Sequence, residues 1–275
     1  MQVKTLAKYS KFLGTRMIYL IIVLTGLLTT VIVYVRCSRL HHYEIRYKGE
    51  AFGAWLASWE EEYAENGPST NFGQAVSQLG TNVIPALLQM LQEHRPVRDA
   101  AASLLQRQSL LRVRHTRCEY ENYLAAYGFR LLGNKASNAV PYLIRIMDRK
   151  VSASSQAAAI SALGNIGPTA EEAVPALLTT LSRGDGLARS WACRALSQIH
   201  KRPEIVVPAL IEHLRDVDKN VRLEAVFALG EFGWDARTAV PALTEFTTGS
   251  DGALQDRASH ALGKIRSSDG FGTYP

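Results

Sequence analysis

The chain has 275 residues, with 31 Lys and Arg against 25 Asp and Glu, and three cysteines. Its net charge of +6 sits in the first fifty residues, which hold 8 basic against 2 acidic side chains, while residues 51–275 hold 23 of each. The excess therefore suits a lipid surface and counts against a duplex-binding face on the rest of the chain. Cys37, Cys118 and Cys193 form an odd set without a CxxC pair, which points to neither a disulfide framework nor a zinc site.

Residues 1–16 are a basic flank containing Lys4, Lys8, Lys11 and Arg16. Met17 to Val35 follows, 19 residues without a charge. As a helix this stretch reaches about 28 Å, enough to span a bilayer. Tyr19 and Tyr34 lie near its edges, where aromatic rings favour the interface, and Arg36, Arg39, Arg46 and Lys48 come after it. The stretch ends in Tyr34-Val35-Arg36 and not in a small-x-small site, so residues 17–35 are expected to be an uncleaved transmembrane anchor. Arginine before Cys37 does not resemble a lipoprotein signal. Four basic residues stand on each side, and the free amino group tips the balance toward the N-terminus inside. The remainder is then expected on the extracytoplasmic side. Residues 36–66 read as a juxtamembrane segment with a helix from Ala51 to Ala64, carrying Trp55, Trp59, Glu60, Glu61 and Glu62, that caps the rest of the chain or bridges it to the anchor.

Residues 67–266 repeat themselves. Ala162, Ala195, Ala228 and Ala261 are each followed by leucine and recur with a constant period of 33, as do Ala159, Ala192, Ala225 and Ala258. Ile166, Ile199, Phe232 and Ile265 keep the interval, and so do Pro175, Pro208 and Pro241. A fixed period of this length marks one supersecondary unit that buries its apolar face against its neighbours, so an all-α solenoid is expected. Within a unit, Val174, Leu177, Leu178 and Leu181, then Ala188, Ala192, Ala195, Leu196 and Ile199, have helical spacing. Each unit is thus a helical hairpin. Its proline falls in the first turn of the first helix. Gly164, Gly230 and Gly263 are expected to let the chain turn after the second helix. The alanine columns allow close helix approach, and the leucine column fills the core.

The first unit departs from the period. Pro85 to Pro141 is 56 residues, which leaves an insertion from about Gln106 to Tyr120 before a second helix from Tyr123 to Gly133. Arg107, Arg112, Arg114, His115 and Arg117 make the insertion basic, either as a solvated segment or as a contact for anions or lipid. Residues 267–275 read as a tail.

The unit from Val207-Pro208-Ala209-Leu210 through Asp218-Lys219-Asn220-Val221-Arg222 to Ala228-Leu229-Gly230 resembles the HEAT repeat, in the short version also seen in phycobilisome lyases. The resemblance covers residues 68–266, most strongly from 137 onward. It implies an α-α superhelix whose second helices line the concave wall. It also implies an inter-repeat ladder at Asp185 with Arg189 and Asp218 with Arg222, glutamine standing for arginine at Gln156 and Gln255.

On that concave wall the exposed columns are Ala158, Trp191, Glu224 and Arg257; Ser161, Arg194, Phe227 and His260; and Asn165, Gln198, Glu231 and Lys264. Trp191 and Phe227 are the aromatic exceptions. With Arg194, Glu224, Arg257 and His260 they have the composition of a protein-binding hot spot, unless the rings pack over the Gly184-Asp185-Gly186 turn or between repeats. The expected function is that of a non-catalytic scaffold holding a protein or peptide on the concave face, without a cofactor. Two other readings compete. The lyase resemblance implies bilin attachment or a chaperone subunit for it, and helical repeats also bind nucleic acid, which the neutral solenoid disfavours. No GxSxG, HExxH or phosphate-binding glycine loop is present, nor any His-Glu dipeptide of the kind that ligates iron in the similarly built deoxyhypusine hydroxylases.

Overall fold

The computed structural model describes residues 46–47, 50–51, 70–92, 117–248 and 251–267, which belong to two compact units, residues 1–75 and 76–275. The expected anchor at 17–35, its basic flank, the tail from 268 and the insertion residues Arg107, Arg112 and Arg114 lie outside the described residues. Among the described residues no helix is long and apolar enough to cross a membrane.

In the first unit, β1 (Arg46–Tyr47) pairs antiparallel with β2 (Glu50–Ala51), Arg46 facing Ala51 and Tyr47 facing Glu50. Ala51 therefore closes a hairpin and does not begin a helix. Helix α1 (Thr70–Leu79) contains the boundary between the units.

The second unit is a stack of helical hairpins. Its first helices are α2 (Ile84–Gln92), α4 (Val140–Arg149), α6 (Val174–Arg183), α8 (Pro203–Glu212) and α10 (Val240–Glu245). Its second helices are α3 (Arg117–Leu132), α5 (Ala153–Ile166), α7 (Gly186–Ile199), α9 (Lys219–Phe232) and α11 (Gly252–Ser267). Each second helix packs on its own first helix and on the second helices before and after it. The period predicted this arrangement, but α3 starts at Arg117, so the last four residues assigned to the insertion are helical.

Helix starts follow from side-chain caps. Ser152, Asp185, Asp218 and Asp251 recur at the repeat interval before α5, α7, α9 and α11, and their oxygens accept from the backbone N–H of Ser155, Ala188, Asn220 and Leu254. Each such cap satisfies a donor that the helix itself leaves unpaired, worth about 1 kcal/mol. The core between the layers is the predicted one: Ala159, Ala162, Leu163, Ala192, Leu196, Ala225, Ala228 and Leu229 are fully buried. Every fully buried leucine contributes about 1.5–3 kcal/mol.

Three expectations are corrected. Gly164 and Gly230 do not turn the chain; they lie inside α5 and α9 and are buried against the following repeat. A Cβ on Gly164 would lie 2.9 Å from the Ala195 Cα, and one on Gly230 would lie 3.0 Å from the Ala261 Cα. The turning is done by Gly133, Gly167 and Gly233, at φ of 51°, 78° and 53°, where an L side chain is strained. Each opens a seven-residue 3-10 segment, Gly133–Ala139, Gly167–Ala173 and Gly233–Ala239, with buried alanines at its fourth and seventh positions. The first alanine of each pair, Ala136, Ala170 or Ala236, leaves helical backbone angles, with ψ of 18°, 23° and 16°, so each segment kinks there before the next first helix begins.

The second correction concerns Pro208. Pro141, Pro175 and Pro241 begin their helices as expected, but α8 already starts at Pro203 and encloses Pro208. In this repeat His200 replaces the turning glycine at φ 51°, Arg202 follows at φ 56°, and Pro203 takes the place of the first buried alanine. Proline's fixed φ starts an α-helix there directly.

The third concerns the ladder. Asp185 and Asp218 are caps, so the acid that Arg189 meets is Asp216 of the next repeat, at 2.9 Å from Nε and 2.6 Å from Nη2, while Nη1 donates to Gly184 O at 2.8 Å. Arg222 stays within its own repeat, donating to the Asp216 and Val217 carbonyls at 2.8 and 3.2 Å. Gln156 is buried and donates to Met147 O at 3.3 Å. His213 ties α8 to the end of α6, its ring nitrogens 2.8 Å from Ala209 O and 3.0 Å from Leu181 O.

Candidate protein-binding groove

The outer columns of the second helices line three adjoining hollows of about 400, 340 and 350 Å³. The first lies across α3, α5 and α7, the second across α7 and α9, and the third across α9 and α11. Trp191 and Arg194 border both the first and the second. The face of the second helices singled out from register thus carries a row of hollows.

The structure brings Trp191, Arg194, Glu224, Phe227 and Arg257 into one network. Arg194 forms a fork on Glu224, with Nε and Nη2 at 3.0 and 2.9 Å from its carboxylate oxygens. Arg257 Nη1 lies 3.5 Å from the same carboxylate and donates to Leu223 O at 3.2 Å. The Arg194 guanidinium also lies 5.8 Å from the Trp191 ring centre and 5.9 Å from that of Phe227, within cation-π range of both. Neither aromatic stands free in solvent, contrary to the expectation for those columns. Both are half-buried. The hydrogen-bonded Glu224 raises the Arg194 pKa further above its ordinary value, so the guanidinium keeps its charge.

His260 is exposed and lines the third hollow with Phe227, Arg257 and Lys264, the last paired with Glu231 at 2.5 Å. Of the basic insertion residues, Arg117 opens α3. Trp234 is half-exposed in the Gly233–Ala239 segment, with Arg237 5.1 Å over its ring, and borders none of the three hollows. Cys193, on the buried side of α7, has its thiol pushed up to about 12, by burial first and then by the Glu224 and Asp216 charges, which disfavours the reactive thiolate.

Sequence reasoning missed what α3 brings to the first hollow: Asn122, Tyr123, Tyr127 and Arg130. The repeat period does not reach them, because the turning glycines Gly133 and Gly167 stand one position further apart than the period allows. Aligning those two glycines would have placed Tyr127 in the column of Ser161 and Arg194. Asn122 then falls in the column of Gln156 and Arg189, and like Arg189 it reaches the next repeat, its Nδ2 donating to Ser154 Oγ at 3.0 Å.

The family model for HEAT repeats matches residues 140–216 and 207–270, in agreement with this architecture. Two solved structures share 19–20% identity with the chain. One is an engineered protein of the Northeast Structural Genomics Consortium, with a TM-score of 0.41 over 72% of this chain and 98% of that one. The other is a designed armadillo repeat protein in complex with the peptide (KR)4, with a TM-score of 0.45 over 71% of this chain and 100% of that one. A comparison with curated proteins gave no match. Residues 140–270 are therefore similar to HEAT repeats, and their helical hairpins stack as a solenoid.

Proposed function

We propose that this protein is a membrane-anchored scaffold that holds a segment of a partner protein along the groove of its second helices and carries out no chemistry of its own. The observation that supports this most is the groove itself, where half-buried aromatics are fixed by ion pairs that join successive repeats. Aromatic and arginine side chains held rigid in a concave surface lose little entropy on binding and are the types that carry most of the energy of protein interfaces. Trp191→Ala combined with Phe227→Ala is expected to weaken partner retention about 30-fold, the equivalent of a 2 kcal/mol hot spot, with little change in folding. Affinity purification of both forms from native membranes, beside a thermal melt, checks this. Unchanged retention with a depressed melt assigns both rings to the fold.

The uncharged stretch at 17–35 supports the anchor, and the charge balance around it favours the N-terminus inside and the solenoid on the extracytoplasmic side. Full-length protein is expected to pellet with membranes and resist carbonate extraction. Carbonate release of the intact, uncleaved chain removes the anchor from this reading.

A further inference from the structure

The three hollows differ in charge. The second contains Asp218 and Glu224, and the third contains Glu231 and Asp256, whereas the first has no carboxylate on its lining among the described residues. Its charged groups are two guanidiniums. Arg130 lies over the Tyr127 ring at 4.6 Å and pairs with no acid among the described residues. Arg194 uses Nε and Nη2 on Glu224, which leaves Nη1 without a hydrogen bond among the described residues. The wall also holds a buried acceptor with nothing to accept. Asn122 is 3% exposed, and its Oδ1 has no hydrogen-bond partner among the described residues, although its Nδ2 is satisfied by Ser154. A buried oxygen in this state lacks about 1–3 kcal/mol of stabilisation that a donor would supply.

We infer that the first hollow takes an acidic segment of a partner protein, one that sets a carboxylate between Arg130 and Arg194 and an apolar side chain against Trp191, while a backbone N–H reaches toward Asn122. The inference rests on the scaffold reading above and names the chemistry of its partner. Charge complementarity selects this occupant. A basic segment meets Arg130, which pairs with no acid among the described residues, and Arg194, whose counter-charge Glu224 is already engaged, so its cations gain no carboxylate on this lining. A nucleic acid tracking the groove leaves the first hollow for walls where Asp218, Glu224, Glu231 and Asp256 offset Arg194, Arg257 and Lys264, so further phosphates meet no net positive charge. A peptide can confine its acid to the first hollow.

The test uses the full chain in nanodiscs of zwitterionic phosphatidylcholine and three acetylated, amidated decapeptides that alternate leucine with glutamate, glutamine or lysine. Fluorescence anisotropy is expected to show the glutamate peptide binding at least tenfold tighter than the other two, with an advantage that shrinks as salt rises. Arg130→Gln is expected to weaken the glutamate peptide at least fivefold and leave the glutamine peptide unchanged; because Arg130 has no acid partner to strand, this variant folds normally. Equal or tighter binding of the lysine peptide overturns the inference, as does glutamate binding that ignores both Arg130→Gln and Arg194→Gln. Stronger binding of an oligo-dT decamer than of the glutamate peptide also overturns it. If the glutamate peptide fails while partner retention still depends on Trp191 and Phe227, the charge assignment falls and the scaffold stands; if both fail, both fall.

Discussion

Gly164→Val is expected to destabilise the solenoid by at least about 3 kcal/mol, near the upper end of what overpacking a core costs. The new Cβ would meet the Ala195 Cα at 2.9 Å, and that atom belongs to the backbone of the adjoining second helix, which cannot swing aside as the nearby Gln198 side chain can. Accommodating the methyls means parting α5 from α7, and the whole alanine seam between the two repeats opens with them. For a unit of this size, the melting temperature should fall by roughly 6–12 °C. Gly263 occupies the same column in α11, the last helix described, but a Cβ there meets nothing within 4 Å. Gly263→Ala is therefore expected to act in the opposite direction, stabilising α11 by up to about 1 kcal/mol through helix propensity. Thermal melts of the two variants check the sign of each; equal effects would mean that the column is set by helix propensity alone.

Asp216→Ala should cost about 3 kcal/mol, because it leaves the largely buried Arg189 guanidinium without its counter-charge. The Asp216 side chain is 6% exposed and the Arg189 side chain 17%. Its carboxylate accepts two bonds from Arg189 and a third from the Asp218 backbone N–H at 2.8 Å, so one residue fastens two repeats and orders the turn into α9. Burial alone would push this carboxyl up, but the hydrogen bond from Arg189, the Asp218 N–H and the Arg189 charge outweigh it and hold it below the usual carboxylate range. A depressed value in the folded state stabilises the fold above the unfolded pKa, about 4, and that contribution is lost as pH falls through the lower folded value. The melting temperature of the native chain should therefore drop on acidification below about pH 4 more steeply than that of Asp216→Asn, which has no charge to lose. Parallel slopes would remove Asp216 from the junction.

The architecture was legible in the sequence because a solenoid makes each repeat solve the same packing problem. The alanine and leucine columns recur at one fixed interval since every second helix meets the same two neighbours, and all of them are buried as the period required. The polar columns of the second helices were legible for the same reason, but the fold alone brought the Arg194 guanidinium within cation-π range of both Trp191 and Phe227. Where the glycines act was not. Gly164 and Gly167 are both permissive in the sequence, and only the close approach of Ala195 to one and the positive φ of the other separate a packing glycine from a turning one. Likewise Asp216 and Asp218 stand two residues apart in one turn, and tertiary structure decided which caps a helix and which reaches Arg189, because the choice depends on where the preceding repeat places its guanidinium. The first hollow depended on tertiary structure most of all. Tyr123, Tyr127 and Arg130 enter it from a helix displaced by one residue from the period, and they become neighbours of Trp191 only when α3 packs against α5. The sequence by itself determined a helical stack with a polar, aromatic-bearing wall, since local periodicity carries that information. Only the folded chain decided which polar groups on the wall are paired and which are left open, because pairing is a distance between repeats and no column of residues records it.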